Sequence, residues 1–465
     1  MTRYITLFII TVLASVTLSG KAKIDILDFE RTTGPVKPVN SVGQPPYIDL
    51  SNAEMFHYLT EAGVKYSRLH DVGGWFGRGV FVDIPNIFRN FDADENNPDS
   101  YDFTFTDLLL KNLVEAGIEP YYRLGVTIEN SAGIKAYRIY PPEDFEKWAR
   151  ICEHIILHYN YGWANGFHFG ISHWEIWNEP ENLGDPMENP MWRGTFEQFM
   201  ELYATAATHL KERFPDLMIG GYGSTGFGVI THDFNNPENL PKKIARKEYH
   251  LKCFNKFMKA ASENHWPLDF FSFHSYSAVP FLLPQIQYAR KALDDYGFKN
   301  TQLSLNEWLP VPSRDKLGTA IQAAEIAAAM LVFQNSPLND AELYDARTSG
   351  GTYSPLFQPE TYLPRRAYWS FRMFGELKAL GVAVEMPALP KDLYGCAATD
   401  KNGNAAVMIS NLSGKIWNNS LRWIGYSVES VTLLDDSHNE MYATKKSNFK
   451  KVKPNSVVLI KLKKK

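Results

Sequence analysis

From about residue 50 to 380, apolar and polar positions follow two alternating rhythms. Short stretches rich in β-branched and aromatic residues read as strands, and longer stretches with apolar residues three and four apart read as helices. The strand-type runs are "VKYSRLH", "VFVDIP", "IEPYYRLG", "HWEIWN", "LMIGGYG", "LDFFSFHSYS", "TQLSLNEW" and "AELYDA". Between them lie helical runs. "SNAEMFHYLTEAG" opens with a capping box, Ser51 with Glu54, and "TFEQFMELYATAATHLKERF" opens with another, Thr195 with Gln198. "FTDLLLKNLVEAG" closes on Gly117, and further helices fall at "EDFEKWARICEHIILHY", near 246–263, near 285–296 and at "TAIQAAEIAAAMLVF". Alternating β and α implies a parallel sheet. Eight such units over about 330 residues predict an α/β fold, a (β/α)8 TIM barrel.

Beyond about residue 385 the rhythm changes to short alternating runs, "NAAVMISNL", "YSVESVTLL" and "NSVVLIKL", separated by turn residues. This predicts a small C-terminal β-sandwich over 383–465 that buttresses a barrel over 51–382. The segment 23–50, with "KIDILDFE", is expected to add a strand to the sandwich. Residues 1–22 have the layout of a signal peptide: Arg3, an apolar run over 4–16, then small residues at Ser19, Gly20 and Ala22. The run is short for a spanning helix, and no Cys follows it, so a secreted or periplasmic protein without stable membrane insertion is expected. The net charge of −4 argues against a nucleic-acid partner, and the basic tail "KLKKK" reads as a solvated terminus. Cys152, Cys253 and Cys396 are far apart without metal-type spacing and are expected to be buried thiols.

Catalytic groups of a barrel sit at the C-terminal ends of its strands. The fourth run ends in Asn178-Glu179-Pro180 and the seventh in Asn306-Glu307-Trp308, which brings two glutamates to one mouth. Paired carboxylates are what glycosidic cleavage needs, one protonated and one ionised. On an ideal strand Glu175, Trp177 and Glu179 share one face. Trp177 and its neighbours would then help keep Glu179 protonated by desolvation. Glu175, lying deeper, is expected to pair with a buried Arg, and Glu181, beyond Pro180, to be solvated. Tyr222 and Tyr353 also fall at expected strand ends.

"HWEIWNEPENLG" resembles the acid/base strand of clan A glycoside hydrolases, and most closely that of family 39, which includes β-xylosidases and α-L-iduronidases. "LSLNEW" resembles the nucleophile strand of that family, and "YSRLHD" its first-strand Arg-x-His motif. "YDFTFTDLLLKNLVEAGIEPYYRL", "MWRGTFEQFMELY", "PLDFFSFHSYS" and "RRAYWSFRMFGEL", the last preceded by Gly350-Gly351, follow in barrel order over about 60–380. The resemblance implies a retaining glycosidase with Glu179 as acid/base and Glu307 as nucleophile. Asn178 would hydrogen-bond the 2-hydroxyl, Tyr276 would bond Glu307, His70 and His274 would line the sugar subsite, Arg68 would hold Glu307 ionised, and Trp308 would stack on a sugar. No metal or cofactor is called for, and the partner is an oligo- or polysaccharide. Two departures stand out: Asn306 replaces the Thr usual before the nucleophile, and the loop "DVGGWFGRGVFVD" differs. A catalytically inactive sugar-binding barrel, an arabinofuranosidase and an endo-glucanase would use the same residues.

Overall fold

The structure of the chain, a computed structural model, describes residues 25–47, 54–70, 82–127, 139–231 and 240–465. Eight parallel strands close into a barrel in chain order: Ser41–Gly43, Tyr66–Leu69, Glu119–Leu124, His173–Ile176, Met218–Ser224, Phe270–Ser275, Gln302–Trp308 and Asp340–Leu343. The fold class is the one the alternation predicts, but two of its assignments change. The first strand is Ser41–Gly43, ahead of residue 51, and it pairs with both the second and the eighth strand. It is only three residues long, with Pro38 before it and Pro45 after it, too short for a period-two pattern to register. "YSRLH" is therefore the second strand. The described part of "VFVDIP" is not a strand. Ile84–Ile87 forms one helical turn with Pro85 at its start, where the missing N–H costs nothing. The Asp83 carboxylate before it takes bonds from Arg123 and Thr127.

Helices Thr104–Glu115, Phe145–Tyr161, Phe196–Arg213, Leu240–Glu263, Val279–Asp295, Ala320–Gln334 and Arg366–Lys378 fall between or after the strands. The Thr195–Gln198 capping box forms in both directions. The Ser51 box, the signal-like residues 1–22 and most of the "DVGGWFGRGVFVD" loop lie outside the described residues. Inside the barrel, Tyr66, Tyr121 and Phe270 plug the N-terminal end, with His173 stacked on Tyr121. Above that plug the interior turns polar, with Arg68, Glu175 and Glu307 buried in it.

The C-terminal region forms a seven-stranded sheet. Its order is Tyr442–Thr444, Tyr426–Leu434, Ser456–Lys464, Asn404–Asn411, Leu393–Thr399, Val382–Val384 and Thr32–Pro35, all antiparallel. Asp25–Leu27 pairs in parallel with Leu421–Trp423, and Trp417–Asn418 pairs with Lys451–Val452. Strand alternation serves two cores. Val407, Ile409, Val458 and Ile460 face a core of their own with Leu27, Leu421 and Val452. Ala406, Met408, Val457 and Leu459 join the barrel's core instead. The three cysteines are free and buried. Among the described residues no helix is long and apolar enough to cross a membrane.

Candidate active site

Arg68, at the inner face of the second strand, is fully buried and gathers three acceptors. Its Nε donates to Glu175 Oε2 at 2.7 Å, one terminal nitrogen to Glu307 Oε1 at 2.9 Å, and the other to Asn178 Oδ1 at 2.6 Å. Glu175 is thus paired as its depth suggests, and its second oxygen accepts from Ser272 Oγ at 2.5 Å and Asn306 Nδ2 at 2.6 Å. Asn306 therefore supports the Arg68 ion pair from below. Glu307 accepts on its other oxygen from Tyr276 Oη at 2.8 Å. Donors on both oxygens stabilise an ionised carboxylate. Burial and then the Glu307 charge hold the Tyr276 phenol well above its ordinary value, so it remains a donor. His70 Nε2 lies 3.7 Å from Glu307 Oε1, and burial, reinforced by Arg123 and Arg68, pushes its imidazole well below the ordinary value and keeps it neutral.

Glu179 faces Glu307 across His274. Nδ1 of His274 is 2.8 Å from Glu179 Oε1 and 3.4 Å from Glu307 Oε2. One oxygen of Glu179, one oxygen of Glu307 and a His274 ring nitrogen lie within 4.8 Å of one another. Burial would lower the His274 pKa, but the charges of Glu307 and Glu179 outweigh it and raise it. Burial likewise pushes Glu179 up, but the His274 hydrogen bond and charge, with the Asn182 amide at 2.6 Å, bring it net down. The proton of the pair rests on the imidazole. This corrects the desolvation argument from Trp177. The backbone turns left-handed at Trp177 (φ 70°), which takes its ring out of the barrel onto Trp148 and Trp192. The turn also brings Asn178 inward to Arg68. Glu179 itself sits at φ 45°, its N–H bonded to Gly223 O, and its side chain keeps 18% of its surface exposed.

Glu181 is not solvated. It is fully buried, and Oε1 accepts from Ser224 Oγ, Thr225 N–H and Thr225 Oγ1 at 2.8–3.1 Å. Burial pushes its carboxyl up to about 7. The structure brings Arg68, His70, Asn178, Glu179, His274, Tyr276 and Glu307 together, and leaves Trp308 out. That ring is fully buried against Phe333 and Phe371 in the helix layer, where no sugar reaches it. Tyr222 is likewise core, against Phe199 and Phe257. Tyr353 does reach the site, edge-on to Tyr276, with Tyr344 beside both. Asn182 and its partners Arg246 and His250 carry no strand-end signal, because they come from a loop and a helix.

A buried hub that orients one carboxylate, with a second carboxylate poised beside it at the mouth of a (β/α)8 barrel, is the equipment of a glycosidase. The profile of glycosyl hydrolases family 39 matches residues 25–300. The chain belongs to that family. A β-xylosidase of Caldicellulosiruptor saccharolyticus is 32% identical over 171 residues, covering 35% of this chain. The match spans 31% of that relative's length. Among solved structures, a glucosidase from Croceicoccus marinus superposes with a TM-score of 0.72 at 18% identity, over 95% of this chain and 99% of that one. A monomeric β-xylosidase from Caulobacter crescentus gives 0.64 at 16% identity, over 95% and 100%. The family 39 enzyme of Xanthomonas axonopodis pv. citri gives 0.64 at 16%, over 98% and 100%. At these identities the superpositions speak for the fold.

Proposed function

We propose that the protein is an exported, retaining β-xylosidase-type enzyme, with Glu307 as nucleophile and Glu179 as acid/base. The observation that carries the reading is that one oxygen of each carboxylate lies within 4.8 Å of the other, too close to leave an inverting gap between them, with Arg68 and Tyr276 donating to the two oxygens of Glu307. Retaining pairs stand about 5–5.5 Å apart, whereas inverting pairs leave room for a water at about 6.5–9.5 Å. In the first step a Glu307 oxygen forms a bond to the anomeric carbon and the bond to the leaving oxygen breaks. That oxygen takes the proton that Glu179 shares with His274. In the second step water attacks the anomeric carbon, gives a proton to Glu179 and releases Glu307. Asn178, fixed through Oδ1 by Arg68, turns its Nδ2 to the sugar's 2-hydroxyl, and His70 and Tyr353 border the same subsite.

The β-linked pentose is favoured by the likeness to the C. saccharolyticus β-xylosidase. A panel of aryl glycosides (β-xyloside, β-glucoside, β-galactoside, α-L-arabinofuranoside, α-L-arabinopyranoside and α-L-iduronide) tests it. Turnover should be highest on the β-xyloside, and preference for another sugar would reassign the substrate. Sugar binding with no turnover of any substrate would favour an inactive barrel. Export is supported by the charged start, apolar run and small residues of 1–22. Amino-terminal sequencing of protein from the periplasm or medium should begin near residue 23, and a chain retained in the cytoplasm with Met1 intact would contradict export.

A further inference from the structure

The net charge of the chain hides an asymmetry. Residues 383–465 carry 13 Lys and Arg against 7 Asp and Glu, a net of +6 in a chain whose total is −4. Five of these lysines, Lys445, Lys446, Lys450, Lys451 and Lys453, fall within nine residues, and all are exposed. Among the described residues only Lys453 of the five meets an acid, Asp435 at 3.6 Å. Lys450, Lys451 and Lys453 line a groove of about 690 Å³ together with His438, Tyr442 and Asn448. Tyr442 lies flat on His438, with centroids 4.2 Å apart at 7°, and still exposes 49% of its surface. The Asp435 carboxylate in the groove is already engaged by His438 Nδ1 and the Ser437 N–H. Like-charge repulsion of an incoming anion is thereby reduced.

The groove is tied to the catalytic end of the barrel. Arg366 is the first residue of the helix that follows the eighth barrel strand, so it lies at the mouth end. It donates to His438 O and Asp436 O on the groove side, and to Gly318 O in the loop after the nucleophile strand. A cation cluster beside one exposed aromatic face suits a pyranose that bears an anion: the ring's C–H face lies on the aromatic, and carboxylate or sulfate meets the lysines. A neutral sugar would leave the lysines without a role, and a membrane surface would leave the aromatic recess without one.

We propose that this groove is a second carbohydrate site, which binds an acidic polysaccharide, uronate- or sulfate-bearing, beside the barrel mouth. The test is calorimetric titration of the full chain with polygalacturonate, dextran sulfate, neutral xylan and single-stranded DNA, at 50 and 300 mM salt. At least one acidic polysaccharide should bind, more weakly at the higher salt, and xylan and DNA should bind at least tenfold more weakly. Tyr442→Ala, and separately the triple change Lys446→Gln, Lys450→Gln, Lys451→Gln, should each weaken binding at least tenfold. Neither should change the unfolding temperature or aryl glycoside turnover. Binding is read without turnover, so its outcome is independent of the nucleophile assignment. No binding of either polysaccharide, equally tight binding of DNA, or binding indifferent to Tyr442→Ala would overturn the proposal, the last two by reducing the site to a solvated basic run.

Discussion

The 2.8 Å contact between His274 Nδ1 and Glu179 Oε1 couples the titration of the proposed acid to that of the imidazole. Glu179 is held below its ordinary value of 4.5 and His274 above 6.5. A lowered carboxyl stabilises the fold above its unfolded value and loses that contribution as pH falls through the folded one. A raised imidazole stabilises below 6.5 and loses its contribution as pH rises through the folded value. The ion pair is therefore intact from about 4.5 to 6.5 and somewhat beyond on each side. Activity needs the shared proton, so the alkaline limb of kcat/KM reports the pair rather than Glu179 alone. In His274→Gln the cation is gone and burial is the leading influence on Glu179, whose carboxyl then rises above its wild-type value. The alkaline limb should move to lower pH, because a lone carboxyl loses its proton sooner than the pair. A kcat loss of about a hundredfold or more is also expected, within the range of general-acid contributions. A pH–rate profile with an unmoved alkaline limb would contradict the shared proton.

At the scale of elements, the exit of the fourth strand does most to build the site. Two consecutive side chains of an ideal strand would point to opposite faces. Left-handed backbone at Trp177 and Glu179 instead sends the tryptophan outward and both Asn178 and Glu179 inward. Such conformations cost on the order of 1–3 kcal/mol each for non-glycine residues. They are held by Trp177 N–H on Leu124 O, Trp177 Nε1 on Met191 O, and Glu179 N–H on Gly223 O. This is where legibility in the sequence ran out. The alternation gives the barrel and the strand ends give Glu179, Glu307 and Asn178, whereas Arg68, His70, His274 and Tyr276 come from the resemblance of their motifs to family 39, since a strand end by itself does not say which face a side chain takes. The facing of Trp177 depended on a φ value that no periodicity encodes. The burial of Glu181 depended on Ser224 and Thr225, which only the closed barrel brings near. Trp308 follows a glutamate that faces the mouth, and the packing of Phe333 and Phe371 claims its ring. The strand Ser41–Gly43 was too short to announce itself.

Glu181 fastens that exit to the end of the fifth strand. Glu181→Ala leaves three donors without their acceptor, at about 1–3 kcal/mol for each group that stays dry. Thermal unfolding should therefore fall clearly in Glu181→Ala and less in Glu181→Gln. The folded carboxyl, at about 7 against an ordinary 4.5, binds its proton more tightly than the unfolded one, so it costs stability as pH rises from about 4.5 to 7. Between pH 5 and 8 the unfolding temperature of Glu181→Gln should decline less steeply than that of the wild type. Parallel declines would place Glu181 outside the titrating set.

Across the whole molecule, the strand that carries Glu307 is braced from outside. Trp308 follows Glu307 and packs on Phe333 of helix Ala320–Gln334 and Phe371 of helix Arg366–Lys378. Those helices are covered in turn by one face of the C-terminal sheet, where Ser410 Oγ donates to Ala324 O and Met408 and Leu459 join the barrel's core. The sheet thus fixes the layer on which Glu307 stands, and its outer strands carry the basic groove beside the mouth. The proposed role of Glu307 as the nucleophile that bonds the anomeric carbon is directly measurable. Incubation of the enzyme with an activated 2-deoxy-2-fluoro glycoside of its preferred sugar slows both steps and lets the glycosyl-enzyme accumulate. Mass spectrometry of the digested protein should find one added glycosyl group, on the peptide that contains Glu307 and on that residue. A label on another residue, or rapid turnover to the inverted sugar with no adduct, would contradict the account.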